Sequence, residues 1–232
     1  MSRSSEQTRV RILDAAIAEF RHRGYAGANL RRIASAAHAT TGAIYNHFGS
    51  KEGLFDALVG ESAERLVSAW AAGRTGSDSG GPGPATGPGG GRGETAPGSD
   101  GGAADSEALA HSVGRTNDLL ALIYDDLDIF ELLLCRARGT DYEHLPERLA
   151  RIEAEAYRRL PGITDSPADR LLVRTLAAGG VEALRAALEH RLTRSEAQRY
   201  MERIARFRLA GWAGLLGPTT APERAPETGE RS

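Results

Sequence analysis

The chain has 232 residues, with 29 Lys and Arg against 31 Asp and Glu, so its formal net charge is −2. A nearly neutral total excludes a uniformly basic protein that coats nucleic acid, but it allows a local basic surface. The first fifty residues contain seven arginines and three acidic residues, a net charge of +4. The length allows one large domain or two modest ones.

The single cysteine, Cys135, excludes an intrachain disulfide and fits a reducing compartment. No apolar run approaches the roughly 18 residues that a membrane-spanning helix needs. The polar N-terminus also lacks the apolar core of a signal peptide. We therefore expect a cytoplasmic protein that makes no membrane contact.

The first predicted helix is defined by apolar residues that recur at three- and four-residue steps. Gly24 is placed to end it. A longer helix with similar apolar residues is predicted to begin after Ser50, which can act as its N-cap. The residues that set the period of the first helix are Val10, Leu13, Ile17 and Phe20.

Two short helices are predicted between these longer ones, and Asn29 and Thr40 precede them as N-caps. Two short helices joined by a three-residue turn form a helix-turn-helix, whose second helix lies in the major groove of DNA. The sequence therefore predicts a DNA-binding domain over residues 6–66, with its motif at 29–48.

The second short helix reads TGAIYNHF, and its composition suits a surface that faces DNA. Ile44 and Phe48 are expected to point inward, whereas the small residues allow a close approach to base edges. The hydroxyl, amide and imidazole groups can contact phosphates or bases. The predicted DNA contacts are Asn29, Arg31, Thr40, Thr41, Gly42, Ala43, Tyr45, Asn46, His47 and Lys51.

A stretch rich in Gly and Pro over residues 73–105 is predicted to be a disordered linker or a long loop. The tail over 218–232 is predicted to be disordered as well. Between them, residues 106–217 carry helical periodicity, with helix starts at Ser166-Pro167 and at a capping box that begins at Thr193. No segment alternates with period two, so an all-α fold is expected.

At this point a family resemblance appears. The stretch TRVRILDAAIAEFRHRGYAGANLRRIASAAHATTGAIYNHFGSKEGLFDAL resembles the DNA-binding domain of TetR-type transcriptional regulators over about residues 8–60. The matching motifs are TRVRILDAA, IASAA and GAIYNHF followed by SKE. The resemblance implies a homodimer that binds a palindromic operator and is released when a small ligand binds the C-terminal helical domain.

Three positions depart from the family pattern. His38 stands in the turn where the family usually has Gly, although His tolerates a positive φ better than most residues. Thr41 stands where relatives often have a basic or longer polar residue, which removes a possible contact. Asn29-Leu30 replaces the common Thr followed by a β-branched residue, and Asn still caps well.

In the C-terminal half, helices are predicted near residues 106–125 and 128–138, and the stretch 119–137 across them is apolar over much of its circumference. Polar groups interrupt it, as they would in the wall of a ligand pocket. Ordinary core with solvated carboxylates is the alternative interpretation, and Cys135 is expected to be a small buried residue rather than a nucleophile. The candidate ligand-binding residues are Tyr124, Glu131, Cys135, Tyr142 and Tyr157.

The last two predicted helices, near residues 167–190 and 194–216, are apolar on more than one face. One face can pack inward, and the other needs cover. The resemblance implies that these helices pair with their copies in a four-helix dimer interface. The expected partners are therefore double-stranded DNA, a second copy of the chain and an unidentified small-molecule effector.

Two other hypotheses stay open. The chain could be a DNA-binding regulator that answers to a protein partner or has no small-molecule effector. It could also be a helical enzyme or metal-binding protein, but its histidines lack the spacing of a metal or nucleophilic site, and no phosphate-binding loop is present. We therefore expect no enzymatic activity, no metal and no cofactor.

Overall fold

The computed structural model of the chain describes residues 3–75 and 100–216. Within these two ranges, all regular secondary structure is α-helical, which confirms the predicted fold class. The nine helices of the described ranges are α1 (Arg3–Gly27), α2 (Leu30–Ala36), α3 (Thr41–Phe48), α4 (Lys51–Thr75), α5 (Asp100–Asp125), α6 (Leu127–Cys135), α7 (Leu145–Tyr157), α8 (Pro167–Glu189) and α9 (Arg194–Leu216).

Helices α1, α2 and α3 pack with the start of α4 around one apolar core. Phe20 of α1, Ile33 of α2 and Ile44 of α3 are fully buried there, together with Leu54 of α4. Ile44 is the one residue of α3 that is buried. A single deep anchor leaves most of the surface of α3 open to solvent.

The two predicted N-caps position the short helices. The Oδ1 atom of Asn29 accepts a hydrogen bond from the backbone N–H of Arg31 at 2.8 Å. The Oγ1 atom of Thr40 accepts one from the backbone N–H of Ala43 at 3.1 Å. Each cap satisfies a donor that the first turn of a helix leaves unpaired, so the helices begin where the sequence predicted.

Gly24 divides α1 into two helical segments. Its φ of 67° and ψ of 166° are not helical, and a short second segment continues from this kink to Gly27. The first segment therefore ends at Gly24, as the sequence predicted. The altered ψ rotates the next peptide, and the backbone N–H of Tyr25 donates to the carbonyl oxygen of Arg136 at 3.0 Å.

The long helix α4 joins the three N-terminal helices to the C-terminal half, where it contacts α5, α6 and α7. In that half, α7 packs along α8, and α5 packs along α9. Leu120, Phe130 and Leu184 are fully buried in the core that continues from the N-terminal domain. A smaller apolar cluster forms around Tyr157 and Trp212.

The predicted linker over residues 73–105 is too long at both ends, because α4 extends to Thr75 and α5 begins at Asp100. Once a helix has formed, each further residue adds one backbone hydrogen bond, so helices continue past their last apolar residue. The rest of that linker, residues 76–99, and the predicted tail lie outside the described residues. In the described ranges, none of the helices is long and apolar enough to cross a membrane.

Candidate nucleic-acid interface

The face of α3 opposite Ile44 carries the predicted base contacts. Gly42, Tyr45 and Asn46 are exposed, and 55% of the Tyr45 surface is open to solvent. Residues three and four positions apart lie on the same side of a helix, so these three form one continuous face. The remaining predicted contacts in this helix, Thr41, Ala43 and His47, are half-buried at its edges.

The turn before α3 keeps its shape with a histidine in the glycine position. His38 adopts a positive φ of 49°, and the backbone N–H of Ala39 donates to Ala34 O at 2.9 Å. After α3, Gly49 has a φ of 76° and its N–H donates to Tyr45 O at 2.8 Å. Two left-handed residues therefore bound the segment that contains α3 and fix its direction.

The structure distinguishes the two neighbouring arginines of α2. The Nη2 atom of Arg32 lies 2.6 Å from Glu19 Oε1 and donates to Gly27 O at 3.1 Å. The hydrogen bond from Arg32 lowers the pKa of Glu19, so this pair remains charged. Arg31, which the sequence selected, is exposed to solvent. The side chain of Arg32 thus connects α2 to α1, whereas the side chain of Arg31 faces solvent.

Two further cations lie against aromatic rings of this domain. The Nζ atom of Lys51, at the start of α4, is 4.4 Å from the centroid of the Tyr25 ring. Burial lowers the pKa of Lys51. The guanidinium of Arg9 lies 5.5 Å from the centroid of the Phe48 ring, at the C-terminal end of α3. Such cation–π contacts restrain long side chains that would otherwise be mobile.

Asn29 and Thr40 use their side-chain oxygens as caps, which limits what they can offer to DNA. The Asn29 oxygen is occupied by Arg31 N–H, and the Thr40 oxygen is occupied by Ala43 N–H. A hydroxyl group can still donate while its oxygen accepts, and an amide NH2 group can still donate. Any contact from these two residues therefore has to be a donation, which suits phosphate oxygens.

The tyrosines predicted to bind a ligand lie in three separate environments. The hydroxyl of Tyr124 donates to the carbonyl oxygen of Leu192 at 2.8 Å. The Tyr142 hydroxyl donates to Asp56, and burial together with that carboxylate raises the pKa of Tyr142 to about 12. The hydroxyl of Tyr157 donates to Oε1 of the buried Glu153 at 2.6 Å.

Glu131 and Cys135, the other two candidates, both belong to α6. Cys135 is half-buried, and burial raises the pKa of its thiol to about 11, so the thiol is protonated at neutral pH. Glu131 is buried, and its Oε2 atom lies 2.8 Å from Arg191 Nη2 and 3.4 Å from Arg21 Nη2. The Oε1 atom of Glu131 lies 3.6 Å from Arg136 Nη2.

The sequence reasoning did not identify Arg21 or Arg191 as partners of Glu131. A carboxylate in the apolar stretch FELLLC signals that some cation must compensate it. The partners nevertheless come from positions 110 and 60 residues away, so local spacing gave no way to select them. Among the described residues, no group of three or more His, Cys, Asp or Glu side chains is placed to hold a metal ion.

A helix-turn-helix with an exposed second helix, on an otherwise helical chain, defines the class of helix-turn-helix DNA-binding proteins. The family profile described as bacterial regulatory proteins, tetR family, matches residues 12–58. Residues 12–58 therefore form a domain similar to the DNA-binding domain of the TetR family, as the sequence motifs had predicted.

Curated relatives support the same assignment. The chain is 46% identical over 60 residues to the HTH-type transcriptional repressor AcnR of Corynebacterium glutamicum, covering 26% of this chain and 32% of AcnR. It is 34% identical over 68 residues to the HTH-type transcriptional regulator UidR of Escherichia coli, covering 29% of this chain and 35% of UidR. The matched region thus spans about a third of these relatives. Both relatives are transcriptional regulators by name.

The fold extends the likeness beyond the matched sequence. SmeT, the repressor of the Stenotrophomonas maltophilia multidrug efflux pump SmeDEF, superposes with a TM-score of 0.54 at 20% identity. The superposition covers 95% of this chain and 100% of SmeT. At this identity the comparison establishes the all-helical fold of both halves.

Proposed function

We propose that this chain is a transcriptional repressor that binds a palindromic DNA operator as a homodimer. The observation that carries the proposal is the exposed face of α3, where Gly42, Tyr45 and Asn46 stand on one side of a helix anchored by Ile44. AcnR and SmeT are both repressors, and the similarity to them supports repression rather than activation.

The side chains of this face suit the major groove. Gly42 lets the helix backbone approach base edges or sugars closely, because it has no side chain to intervene. Asn46 can pair with adenine, which presents an acceptor and a donor together in the major groove. Tyr45 can place its hydroxyl on a phosphate and its ring against a sugar or a thymine methyl group.

The cations around α3 supply the phosphate contacts in this proposal. Arg31 is exposed at the start of α2, and Lys51 and Arg9 rest on aromatic rings close to the DNA-binding helices. Restraint by the rings reduces the conformational entropy that these side chains lose on binding. Thr40, Thr41 and His47 would contribute weaker donations at the edges of the helix.

The dimer would form through α8 and α9, whose outer surfaces are unusually apolar. Leu171 is 64% exposed and Phe207 is 76% exposed. Gly179 of α8 and Gly211 and Gly214 of α9 have no atom within 4 Å of the place where a Cβ would stand. The exposed apolar side chains and the open glycine surface together fit the close packing of a second pair of helices.

A dimer would also explain how a DNA-binding surface as small as the exposed face of α3 can bind a specific site. One domain with a few phosphate contacts binds weakly, whereas two domains about 34–36 Å apart occupy successive major grooves. Two-fold symmetry of the protein then requires a palindromic site. The measured distance between the two half-sites of the operator therefore tests the proposed dimer.

We further propose that a small ligand in the C-terminal half releases the repressor from DNA. The α4 helix and the Arg136 carbonyl connect that half to the DNA-binding helices, so a change in one half can reach the other. A ligand shifts the equilibrium only by its difference in affinity for the two states. The alternative is a regulator that responds to a protein partner or has no small-molecule effector.

The first experiment identifies the operator and then tests the face of α3. The purified protein selects its site from random DNA, and gel shifts compare the wild type with Tyr45→Ala and Lys51→Met. Loss of one good contact costs about 1–3 kcal/mol, so each variant should bind at least about fivefold more weakly. Wild-type affinity in both variants would refute the proposed interface.

A second experiment exploits the fact that Lys51 is the only lysine in the sequence. An amine-reactive reagent can therefore modify only Lys51 and the chain terminus, and mass spectrometry separates the two. Operator DNA should protect Lys51, whereas an equal concentration of unrelated DNA at the same salt should protect it less. Equal labelling with and without operator would remove Lys51 from the interface.

The dimer surface is tested by placing a charge at its most exposed apolar side chain. Phe207→Glu should convert the protein to a monomer in analytical ultracentrifugation, because burying an unpaired carboxylate is costly. Val10→Glu, at an exposed apolar position of α1, is the matched control and should leave the oligomeric state unchanged. A dimeric Phe207→Glu variant would place the interface elsewhere.

A further inference from the structure

An open cleft of about 500 Å³ lies where α1 of the DNA-binding domain meets the C-terminal half. It is lined by Arg21 and His22 of α1, by Glu131 and Arg136, and by Arg191 between α8 and α9. Three guanidinium groups and one carboxylate give the lining a net charge of +2. Asp128, which lies 2.6 Å from Arg21, reduces the charge of the wider cluster to +1.

The cluster has more hydrogen-bond donors than its carboxylates can satisfy. Each guanidinium carries five N–H groups, and Glu131 and Asp128 together offer four oxygens. The Nε atom of Arg21 is buried and has no hydrogen-bond partner among the described residues. Buried donors are almost always paired in folded proteins, so this unpaired one adds to the excess of donors beside the cleft.

The two outer arginines are accessible to a ligand. The side chains of Arg136 and Arg191 are 44% and 61% exposed, and Glu131 between them is 6% exposed. The buried carboxylate fixes the ends of the guanidinium groups, and their outer edges remain in contact with solvent. Arginines held in this way present flat pairs of N–H groups, which match the oxygens of carboxylates and phosphates.

We propose that this cleft binds a small oxyanion, a phosphate or a dicarboxylate, through Arg21, Arg136 and Arg191. The bound anion would connect α1 to the loop after α6 and to the turn before α9. It would therefore tie the DNA-binding domain to the C-terminal half at a point outside the helix cores. Binding at this cleft does not depend on the proposed operator and can be measured without DNA.

The position of the cleft gives the anion a structural effect. Arg136 contributes its side chain to the cleft and its carbonyl oxygen to the backbone N–H of Tyr25, at 3.0 Å. An anion that holds Arg136 in place also holds that hydrogen bond between the two halves. Hydrogen exchange at the Tyr25 amide should consequently slow when the anion is bound.

The test is calorimetric titration of the full chain with inorganic phosphate and, separately, with succinate, in a chloride buffer of constant ionic strength. Saturable binding of either anion supports the proposal, and the difference between them tells phosphate from carboxylate recognition. Chloride at the same ionic strength controls for screening. If neither anion binds the wild-type protein saturably, that result alone overturns the proposal.

Variants locate the binding. Arg191→Met and Arg136→Met keep the apolar stem and remove the charge, and each should weaken binding about tenfold. Arg194→Met is the matched control, because Arg194 lies three residues from Arg191 and pairs with Asp125 outside the cleft. Wild-type affinity in both cleft variants, or an equal loss in Arg194→Met, would overturn the assignment of the site.

Glu131→Gln should change the affinity for the anion in the opposite direction to the arginine variants. A purely structural ion cluster gives no such expectation. Removing the competing carboxylate frees donors of three arginines, so the affinity for the anion should rise, provided that the variant folds. Circular dichroism establishes folding before the titration. Weaker binding in a folded Glu131→Gln variant would contradict the proposal, because it would show that the carboxylate does not compete with the ligand.

Discussion

The two halves of this molecule hold their polar groups in opposite ways. In the helix-turn-helix, the distinctive side chains are exposed and lie within a few residues of one another, as Gly42, Tyr45 and Asn46 do. In the C-terminal half, Glu131 and Glu153 are buried and meet partners far away in sequence. A surface that contacts DNA can be encoded locally, whereas a buried charge depends on the whole fold to compensate it.

The difference predicts where substitutions harm stability and where they harm only binding. An exposed polar residue of α3 can be removed with little effect on folding, because water takes its place. A partner of a buried carboxylate cannot, since its removal leaves an uncompensated charge in an apolar environment. Stability measurements on matched variants test this contrast.

The largest effect is expected for Arg208→Met in α9. Arg208 pairs with Glu153, which is fully buried, and breaking such a pair costs about 3 kcal/mol. Urea unfolding should show this loss in the free energy of unfolding, and adding Glu153→Gln should recover part of it. Arg206→Met, two residues away in an exposed pair with Glu202, should change stability by less than about 0.5 kcal/mol.

If Arg208→Met and Arg206→Met destabilise the protein equally, the contrast between buried and exposed pairs fails in this half. Gly180 offers an independent check, because a Cβ at that position would stand 2.7 Å from Arg208 Nη1. Gly180→Ala should push the guanidinium away from Glu153 and destabilise the protein, whereas Gly179→Ala meets open space in the monomer.

An intermediate effect is expected from the titration of Glu131. Burial raises the pKa of this carboxyl, but the hydrogen bond from Arg191 and the charges of three arginines lower it below the usual 4.5 of a glutamate. A carboxyl with a lower pKa in the folded state stabilises the protein above its unfolded pKa. The contribution is lost as the pH falls through the folded value.

Glu131→Gln should therefore be less stable than the wild type at pH 7, and the difference should shrink as the pH falls below about 4.5. Thermal unfolding of both proteins between pH 7 and pH 3 measures the difference. A gap that stays constant over this range would show that Glu131 does not carry the expected charge in the folded state.

The smallest effects compare the two non-glycine residues with positive φ among the described residues, one in each half. His38, at φ 49°, is exposed, so His38→Gly should relieve strain and stabilise the protein by about 0.5 kcal/mol. Arg191, at φ 52°, also binds Glu131, so Arg191→Gly should destabilise the protein despite the same relief. Chemical unfolding measures the change in the free energy of unfolding for both variants. Changes of the same sign would contradict the contrast between the two halves.

The sequence predicted the helices well because their signals are local. Ser166 caps α8 through the N–H of Asp169, and Thr193 and Glu196 form the predicted capping box at α9. The position of Ile44 and the exposure of Tyr45 also follow from helical spacing alone. These features need only a few neighbouring residues to be specified.

The contacts that the sequence did not reveal all join distant elements. The contact between Lys51 and the ring of Tyr25, which lies 4.4 Å away, was not predicted. The five predicted ligand-binding residues come from apolar surroundings that looked alike in sequence, yet they lie in different parts of the fold. Their assignment to an effector pocket stays a prediction, because one-dimensional patterns do not show which polar groups already have partners.

The backbone hydrogen bond between Tyr25 and Arg136 has a consequence for how this chain can be divided into fragments. The rings of Phe20, Tyr25 and Phe55 pack together, and the Tyr142 ring, from the other half, lies 6.2 Å from Phe55. A fragment that ended after the helix-turn-helix would lose that aromatic cover and leave the Tyr25 amide without its acceptor. The helix-turn-helix domain is therefore contiguous in sequence, but residues of the following half supply part of its packing and one of its backbone hydrogen-bond acceptors.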